Sequence, residues 1–249
     1  MTGGSDAQYP RELIEGIEAL SKLVLADEDV STTSQRIAGL AVHAIDGADH
    51  CSVSLVRKRE IETVAATAEV GNRIDEVQYE IGEGPCLSSI EKHETFRIPD
   101  MERDETWPRF SKRAAEETGV RSMLAYVLEV HEDALGALNL TSTKTNAFDD
   151  DDVATGTVFA AQAGVALANA LTHAQEKAQV AQLEEGLQTR KMIGQATGLL
   201  MAHEGLTSEE AFTKLVKVSQ TANVKLREIA RRYVDTWEDK AKRAVREAP

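Results

Sequence analysis

The side chains best suited to chemistry lie in a short polar turn near the C-terminus. The turn Ser219-Gln220-Thr221-Ala222-Asn223 lies between Lys217 and Lys225, so hydroxyl, amide and ammonium donors occur close together in the sequence. Donors of these kinds bind the phosphates, sugars and unpaired bases of RNA loops. Asn223 also has a simpler interpretation, because asparagine is a favoured N-cap for the helix predicted after it.

A helix predicted over 190–203 offers a second surface for phosphates, because helical spacing separates its residues into two faces. The apolar face holds Met192, Ala196, Leu199, Leu200 and His203, and the other face holds Arg190, Lys191, Gly194, Gln195, Gly198 and Ala202. Small residues would let an RNA backbone approach while Arg190 and Lys191 contact phosphates. Gln195 or Thr197 would then contact a base edge or a 2′-hydroxyl. Alternatively, the two glycines allow another helix to pack closely.

Two arginines spaced four residues apart form a third candidate surface. Arg227 and Arg231 share one face of the last predicted helix, where they could contact phosphates. Glu228 and Asp235 lie close to them in the sequence. A self-neutralised, solvent-exposed face is therefore the competing interpretation.

In the first half of the chain, a turn rich in glycine and proline marks a candidate sensor site. The stretch Ile81-Gly82-Glu83-Gly84-Pro85-Cys86 interrupts regular structure, and we expect it to border a pocket on a β-sheet. The residues predicted to contact a ligand there are Tyr79, Glu83, Cys86 and Trp107. Cys86 is either a reactive thiol or a buried structural one, since reactivity depends on its pKa. Trp107 either lines the pocket or packs on the sheet.

Motifs for catalysis and metal binding do not occur in the sequence. It has neither a P-loop nor a G-x-S-x-G nucleophile turn, and its histidines lack the spacing of a metal site. The acidic run Asp149–Asp152 lacks the glycine and terminal glutamate of a calcium loop, and it suits the positive end of a helix dipole. We therefore predict that the chain is not an enzyme and has no metal site. The sequence names no cofactor.

Composition excludes several further classes of protein. Hydrophobic residues make up 42% and charged residues 28% of the 249 residues, as in folded soluble proteins. No apolar run approaches the roughly 20 residues of a membrane-spanning helix, and the N-terminus lacks a signal-peptide pattern. Cys51 and Cys86 are too few for a disulfide framework. These features predict a cytoplasmic protein without a membrane partner.

Charge is distributed unequally along the chain. The formal net charge of -14 disfavours nonspecific binding of nucleic acid by the chain as a whole. Residues 1–182 contain 16 Lys and Arg against 32 Asp and Glu, whereas residues 183–249 contain 12 against 10. The C-terminal part is thus near neutral, and its local basic clusters could contact phosphates.

Hydrophobic periodicity predicts the elements that position the sensor site. In chain order these are helices over 11–26 and 31–45, strands over 51–56 and 61–66, a helix over 87–92, and strands over 96–98, 122–130 and 134–141. The last two strands are joined by a turn at His131-Glu132-Asp133. We expect the strands to form one antiparallel sheet of five or six strands.

From Asp149 to His203 the sequence predicts one long helix, because no proline occurs within it. Val180, Leu183 and Leu187 form a short coiled-coil-like stripe, although a solvated connector helix has the same composition. Gly186 marks a possible hinge.

The final segment divides into three helices that share one core. Gly205 would end the first helix as a left-handed cap, and Thr207 with Glu210 has the spacing of a capping box for the second. The core residues expected from the second and third helices are Ala211, Phe212, Leu215, Val216, Leu226, Ile229, Ala230, Tyr233, Val234 and Trp237.

Three motifs in this segment occur in the order typical of a known family. They are Ile193-Gly194-Gln195-Ala196-Thr197-Gly198-Leu199-Leu200-Met201, Ser208-Glu209-Glu210-Ala211-Phe212 and Lys225-Leu226-Arg227-Glu228-Ile229-Ala230. Over residues 187–237 the chain resembles the ANTAR family, which implies a three-helical module that binds paired RNA stem-loops as a dimer and prevents terminator formation. The family commonly has lysine at the position of Thr197. The resemblance therefore implies that a phosphate contact there is missing or replaced by a hydroxyl hydrogen bond.

The first part of the chain also carries family motifs. They are Gly82-Glu83-Gly84-Pro85-Cys86, Pro99-Asp100, Trp107-Pro108, Val120-Arg121-Ser122 and Leu135-Gly136-Ala137-Leu138-Asn139-Leu140. With these motifs the chain resembles the GAF sensor domains found beside ANTAR modules in actinobacteria. GAF domains bind small molecules or dimerise, so the resemblance implies a sensor without naming its ligand.

These observations predict an α+β fold with three parts. A GAF-like antiparallel sheet with flanking helices (11–170) precedes a helical linker (171–189) and an all-α, three-helix ANTAR-like RNA-binding domain (190–240). The predicted function is transcription antitermination by a homodimer, in which a small-molecule or redox signal controls the binding of RNA stem-loops. Two alternatives stay open. Helices over 207–218 and 225–235 could form a DNA-binding helix-turn-helix, or the sensor could act through protein contacts alone.

Overall fold

The structure, a computed structural model, describes residues 10–58, 60–130 and 133–246 and divides into two compact units, with Gln175 ending the first and Glu176 beginning the second. The elements are α1 (Arg11–Val24), α2 (Val30–Ala44), β1 (His50–Arg57), β2 (Glu60–Ala66), α3 (Glu69–Ile81), α4 (Pro85–Lys92), β3 (Phe96–Ile98), α5 (Pro108–Thr118), β4 (Ser122–Val130), β5 (Asp133–Ser142), α6 (Asp150–Glu204), α7 (Ser208–Ala222) and α8 (Leu226–Arg246). The turn predicted at His131-Glu132-Asp133 lies partly outside the described residues.

The first unit is built on a five-stranded sheet with the order β2-β1-β5-β4-β3, in which every neighbouring pair is antiparallel. This confirms the predicted antiparallel sheet. Because side chains alternate along a strand, β1 directs Cys51, Val53 and Leu55 to one face and Ser52 and Ser54 to the other. The two faces of the sheet therefore differ in polarity.

Helices α1, α2 and the first part of α6 cover the apolar face. Their core includes Leu13, Leu20, Ile37, Val53, Leu138, Leu140, Phe159 and Leu167, all of which are almost completely buried. The hydroxyl of Tyr126 on β4 donates to the carbonyl of Asp152 at 2.8 Å, which attaches the start of α6 to this sheet.

Helices α3, α4 and α5 cover the opposite face, and we did not predict α3 or α5 from the sequence. Val70, Ile74, Val77 and Ile81 recur every three or four residues along α3 and pack with Phe110. The apolar stripe is narrow because most of the other residues of α3 are polar or charged, including the buried Asp75 and Gln78. Arg73 holds α3 to α5 through its ion pair with Glu117.

Helix α6 runs without interruption for 55 residues. The predicted helix start at the acidic run is confirmed, since the backbone N–H groups of Asp149 and Asp152 each donate to the other residue's carboxylate. Gly186 lies inside the helix and does not interrupt it. The most apolar 18-residue window of α6 is long and apolar enough to cross a membrane, but 44% of it is buried in the protein. Core helices of soluble proteins share this property.

The second unit ends with three helical segments, contributed by α6, α7 and α8, around one small core. That core contains Ala196, Leu200, Ala211, Leu215, Ala230 and Val234. The predicted left-handed cap at Gly205 has φ +69°, and Thr207 and Glu210 make the predicted capping box. Phe212 does not join the core as predicted. It is 44% exposed, since the buried stripe of α7 runs through Ala211 and Leu215 instead.

Asn223 was predicted to cap α8, and the structure corrects this prediction. Asn223 instead ends α7 in the left-handed conformation, with φ 50° and ψ 41°. Asparagine tolerates this conformation better than most residues do. The carbonyl of Lys225, rather than a side chain of Asn223, begins the hydrogen bonding of α8 by accepting from Glu228 and Ile229.

Candidate functional site

A cluster of polar side chains lies buried between the sheet and helices α3 and α4. At its centre is the carboxylate of Asp75, which is fully buried. One oxygen accepts from Thr63 Oγ1 at 2.8 Å and Ser54 Oγ at 3.3 Å, and the other accepts from Asn139 Nδ2 at 2.9 Å and Gln78 Nε2 at 3.3 Å. Side chains from β1, β5, the edge strand β2 and helix α3 thus meet at one carboxylate.

Burial raises the pKa of Asp75 from 3.8 to about 6. Desolvation disfavours the charged carboxylate, and the hydrogen bonds donated by neighbouring side chains only partly offset that effect. The carboxyl group can therefore gain or lose a proton near neutral pH without leaving the protein interior.

Two of the predicted sensor residues, Tyr79 and Cys86, belong to this cluster. The hydroxyl of Tyr79 donates to Ser54 Oγ at 2.8 Å, and the thiol of Cys86 lies 3.6 Å from the same oxygen. Burial raises the pKa of Cys86 to about 12. Since the thiolate is the nucleophilic form, Cys86 is an unreactive buried thiol in this conformation.

The glycine-rich turn positions α4 over the cluster. Gln78 Oε1 accepts the backbone N–H of Cys86 at 2.9 Å and lies where a side chain at position 84 would be. A Cβ atom added to Gly84, which has φ +148°, would lie only 2.3 Å from that oxygen. Position 84 therefore requires glycine both for its backbone conformation and for space.

The other two predicted sensor residues lie outside the cluster and support α5. Glu83 accepts the backbone N–H groups of Arg109 and Phe110 at 3.0 and 3.1 Å, so its carboxylate caps the start of that helix. Trp107 packs edge-on against Phe96 of β3, with ring centroids 5.4 Å apart. Of the two interpretations of Trp107, the structure shows packing on the sheet.

We did not predict Ser54, Thr63, Asp75, Gln78 or Asn139 as site residues. The alternation of small polar and apolar residues in β1 was visible in the sequence, but such a pattern normally indicates a solvent-exposed face. The apolar periodicity of α3 would have predicted a helix that covers this face of the sheet. A face covered by a helix is buried, so its polar residues would then have been expected in the interior.

Two oxygens on the same buried sheet face have no hydrogen-bond partner among the described residues. They are Asn139 Oδ1 and Thr141 Oγ1, and both side chains are nearly completely buried. Both oxygens can accept a hydrogen bond, so a bound donor could satisfy them. Among the residues that the structure describes, no group of three or more His, Cys, Asp or Glu could hold a metal ion.

In the second unit, most of the residues predicted to contact RNA are accessible. Arg190, Lys191 and Gln195 are exposed on α6. Thr197 is not on that surface, which corrects the prediction that it contacts a base or a 2′-hydroxyl. It is 8% exposed, and its hydroxyl donates to the Ile193 carbonyl at 2.8 Å.

The predicted bounds of the polar turn are wrong, because residues 219–222 form the last turn of α7 and only residues 223–225 lie between α7 and α8. Polar groups are nevertheless exposed at the end of α7 and in this short connection. Lys217, Gln220, Asn223 and Lys225 are exposed. Ser219 is half-buried, and its hydroxyl donates to the Val224 carbonyl at 2.6 Å, so it helps to shape the turn. The hydroxyl of Ser219 is thus already engaged within the protein.

Arg227 and Arg231 lie beside a groove between α6 and α8. The groove has a volume of about 340 Å³, and Glu185, Gln188, Thr189, Met192, Arg227, Glu228 and Arg231 line it. Arg227 makes an ion pair with Glu185 on α6. We did not predict the α6 residues of the groove, because their proximity depends on how α8 packs across α6.

Two family models match the chain. The model described as the GAF domain matches residues 27–168, which is more than half of the chain, and the model described as the ANTAR domain matches residues 181–234. The order of the two domains agrees with the order of the two compact units.

Solved structures with the fold of the first unit include proteins of different activities. One is the GAF domain of a phosphoenolpyruvate-protein phosphotransferase from Coxiella burnetii, which is 16% identical, with a TM-score of 0.51, over 66% of this chain and 97% of that one. Another is free methionine-R-sulfoxide reductase from Neisseria meningitidis in complex with its substrate, which is 15% identical, with a TM-score of 0.51, over 69% and 99%. At this identity the likeness shows the fold alone. No curated protein is a detectable relative of the chain.

Proposed function

Because the chain belongs to the GAF domain family and carries an ANTAR domain after its GAF domain, we propose that it is a signal-responsive, RNA-binding regulator of transcription antitermination. The observation that carries the proposal is the ANTAR match over residues 181–234. ANTAR modules act on RNA stem-loops, and the GAF domain supplies a sensor on the same chain. In this proposal the protein works in the cytoplasm, without catalysis of its own.

We propose that RNA contacts two exposed surfaces of the second unit. Arg190, Lys191 and Gln195 on α6 would contact phosphates and a base edge, and the segment from Lys217 to Lys225, at the end of α7 and before α8, would contact unpaired loop bases. Their exposure supports this assignment. Arg227 and Arg231 would add phosphate contacts from α8.

We propose that the active form is a homodimer paired through α6. Val180, Leu183 and Leu187 are 55%, 63% and 64% exposed, and their spacing is that of a coiled-coil seam. Apolar side chains this exposed on a helix favour a second helix as partner. Pairing there would bring two RNA-binding modules onto one pair of stem-loops.

The signal that we propose is a small molecule that binds the polar cluster of the GAF domain. The unpartnered oxygens of Asn139 and Thr141 support a ligand that carries hydrogen-bond donors. A redox signal is the alternative, but the burial of Cys86 requires the domain to open before its thiol can react. Linkage requires that the two states of the sensor differ in RNA affinity.

Crosslinking the protein to cellular RNA and sequencing the bound fragments would identify stem-loops for a binding assay. We expect fluorescence anisotropy to show salt-dependent binding of those stem-loops, and Arg190→Gln to reduce the salt slope by about one. Lys112→Gln, which removes an exposed charge from the first unit, is the matched control and should leave the slope unchanged.

Two outcomes would contradict the proposal. Equal binding of duplex DNA of the same sequence would indicate a helix-turn-helix DNA regulator instead. A chain that binds none of the crosslinked stem-loops, with thiols reduced or oxidised, would indicate a sensor that acts through protein contacts.

A further inference from the structure

The groove between α6 and α8 is lined by two arginines, an amide, a hydroxyl and an apolar side chain, together with the carboxylates of Glu185 and Glu228. Met192 supplies an apolar surface, Gln188 and Thr189 supply amide and hydroxyl groups, and the two arginines of α8 lie along the same groove. Unpaired RNA bases stack on aromatic rings or guanidinium planes and form hydrogen bonds with polar side chains through their edges, and guanidinium groups also bind phosphates.

One of the two arginines is already paired within the chain. Arg227 contacts the carboxylate of Glu185, although 42 residues separate them in the sequence. A carboxylate and a phosphate bind the same guanidinium N–H groups, so they compete for Arg227. Arg231 lies one helical turn further along α8 and makes no ion pair with any described acidic residue.

From this arrangement we propose that the groove is a nucleotide-binding subsite for RNA, and that Glu185 is an intramolecular competitor that the RNA phosphate must displace from Arg227. This subsite rests on the proposed RNA-binding function, and it adds competition between Glu185 and the RNA phosphate for Arg227. Arg231 receives the phosphate first, because no carboxylate occupies it. Arg227 joins the contact after Glu185 has moved away.

The competitor weakens RNA binding without preventing it. The side chains of Arg227 and Glu185 are 41% and 63% exposed, and exposed ion pairs of this kind are weak in water. Removing the carboxylate should therefore tighten RNA binding by about two- to fivefold.

The test compares full-length variants with the wild-type chain, using a fluorescein-labelled RNA stem-loop recovered by crosslinking as the probe. Glu185→Gln should tighten binding, and Arg227→Gln should weaken it. In the Arg227→Gln background the further change Glu185→Gln should tighten binding no more than Glu184→Gln does, because the competed group is gone.

Glu184→Gln is the matched control, since Glu184 is also exposed and carries the same charge one residue earlier in α6. Any tightening that it shares with Glu185→Gln comes from the change in net charge alone. Arg231→Gln is a second variant in case Arg227→Gln unfolds the module. It should weaken binding whether or not Glu185 is present.

Two results would overturn the inference while the proposed function stands. They are equal tightening by Glu184→Gln and Glu185→Gln, and an excess tightening by Glu185→Gln over Glu184→Gln that persists in the Arg227→Gln background. Failure of the wild-type chain and every variant to bind the stem-loop would instead reject RNA binding itself, and the subsite with it.

Discussion

Replacing Asp75 with asparagine should remove a pH dependence from the stability of the GAF domain. The folded protein raises the pKa of this carboxyl above its ordinary value of 3.8, to about 6, through burial. Folding therefore favours the protonated form. The stabilising contribution is fully present below about pH 4 and is lost as the pH rises through about 6.

The expected size of the effect follows from the two pKa values. The difference between 3.8 and about 6 corresponds to about 3 kcal/mol of unfolding free energy, lost between acid and neutral pH. Asparagine has nearly the same shape, can still accept from Asn139 and Gln78, and can donate to the hydroxyl of Thr63. At neutral pH, Asp75→Asn should thus be the more stable protein by about 3 kcal/mol.

Urea denaturation followed by tryptophan fluorescence would measure this difference. The chain has 2 tryptophans, one in each compact unit, so a Trp237→Phe background leaves Trp107 as the reporter of the GAF domain. Unfolding free energies measured from about pH 4 to about pH 8 should diverge between this background and the same background carrying Asp75→Asn. Parallel pH profiles would refute the reasoning.

Asp49→Asn provides a control with the opposite sign. The backbone N–H of Thr143 donates to Asp49 at 2.7 Å, and this bond lowers the pKa of the carboxyl. Its contribution to stability is present at neutral pH and is lost as the pH falls through the lowered pKa. Asp49→Asn should therefore destabilise the domain at neutral pH and flatten the acid side of its profile.

Three further outcomes follow from the packing and the caps. Thr207→Ala removes the capping box of α7 and should lower the unfolding free energy of the three-helix module by about 1 kcal/mol. Thermal melts followed by circular dichroism would measure this loss. The control Thr213→Ala, on the exposed middle of α7, should change the unfolding free energy little. Gly84→Ala should destabilise the GAF domain by more than about 1 kcal/mol in urea, because the added methyl meets Gln78. Cys86 should react with iodoacetamide at mildly alkaline pH only after unfolding, and fast labelling of the native chain would contradict its burial.

Elements were predicted correctly from the sequence where one clear pattern of residues determined them. Strand β3 was predicted with its observed bounds, and the capping box at Thr207 was readable because its two residues lie three apart. The antiparallel sheet followed from the spacing of β-branched segments. The strand and the capping box depend on interactions or patterns that are local in the chain, whereas the pairing of β1 with β5 joins segments that are far apart in the sequence.

The site was harder to predict because its residues meet only through tertiary packing. Asp75 reads as a surface residue of a charged helix until α3 is placed on the sheet, which puts it beside Ser54 and Asn139. Thr197 was predicted to be on the RNA-binding surface with Gln195, but it is buried. It is only 8% exposed, next to the fully buried Ala196. Helical spacing alone does not show how wide the buried face of a three-helix module is.

The continuity of α6 has a practical consequence for dividing this protein. The boundary between the compact units, at Gln175 and Glu176, lies inside one uninterrupted helix. A cut there leaves about four carbonyl groups without partners on one fragment and about four N–H groups on the other. Fragments for separate study should therefore carry a glycine after the new C-terminal end and a serine or aspartate before the new N-terminal one.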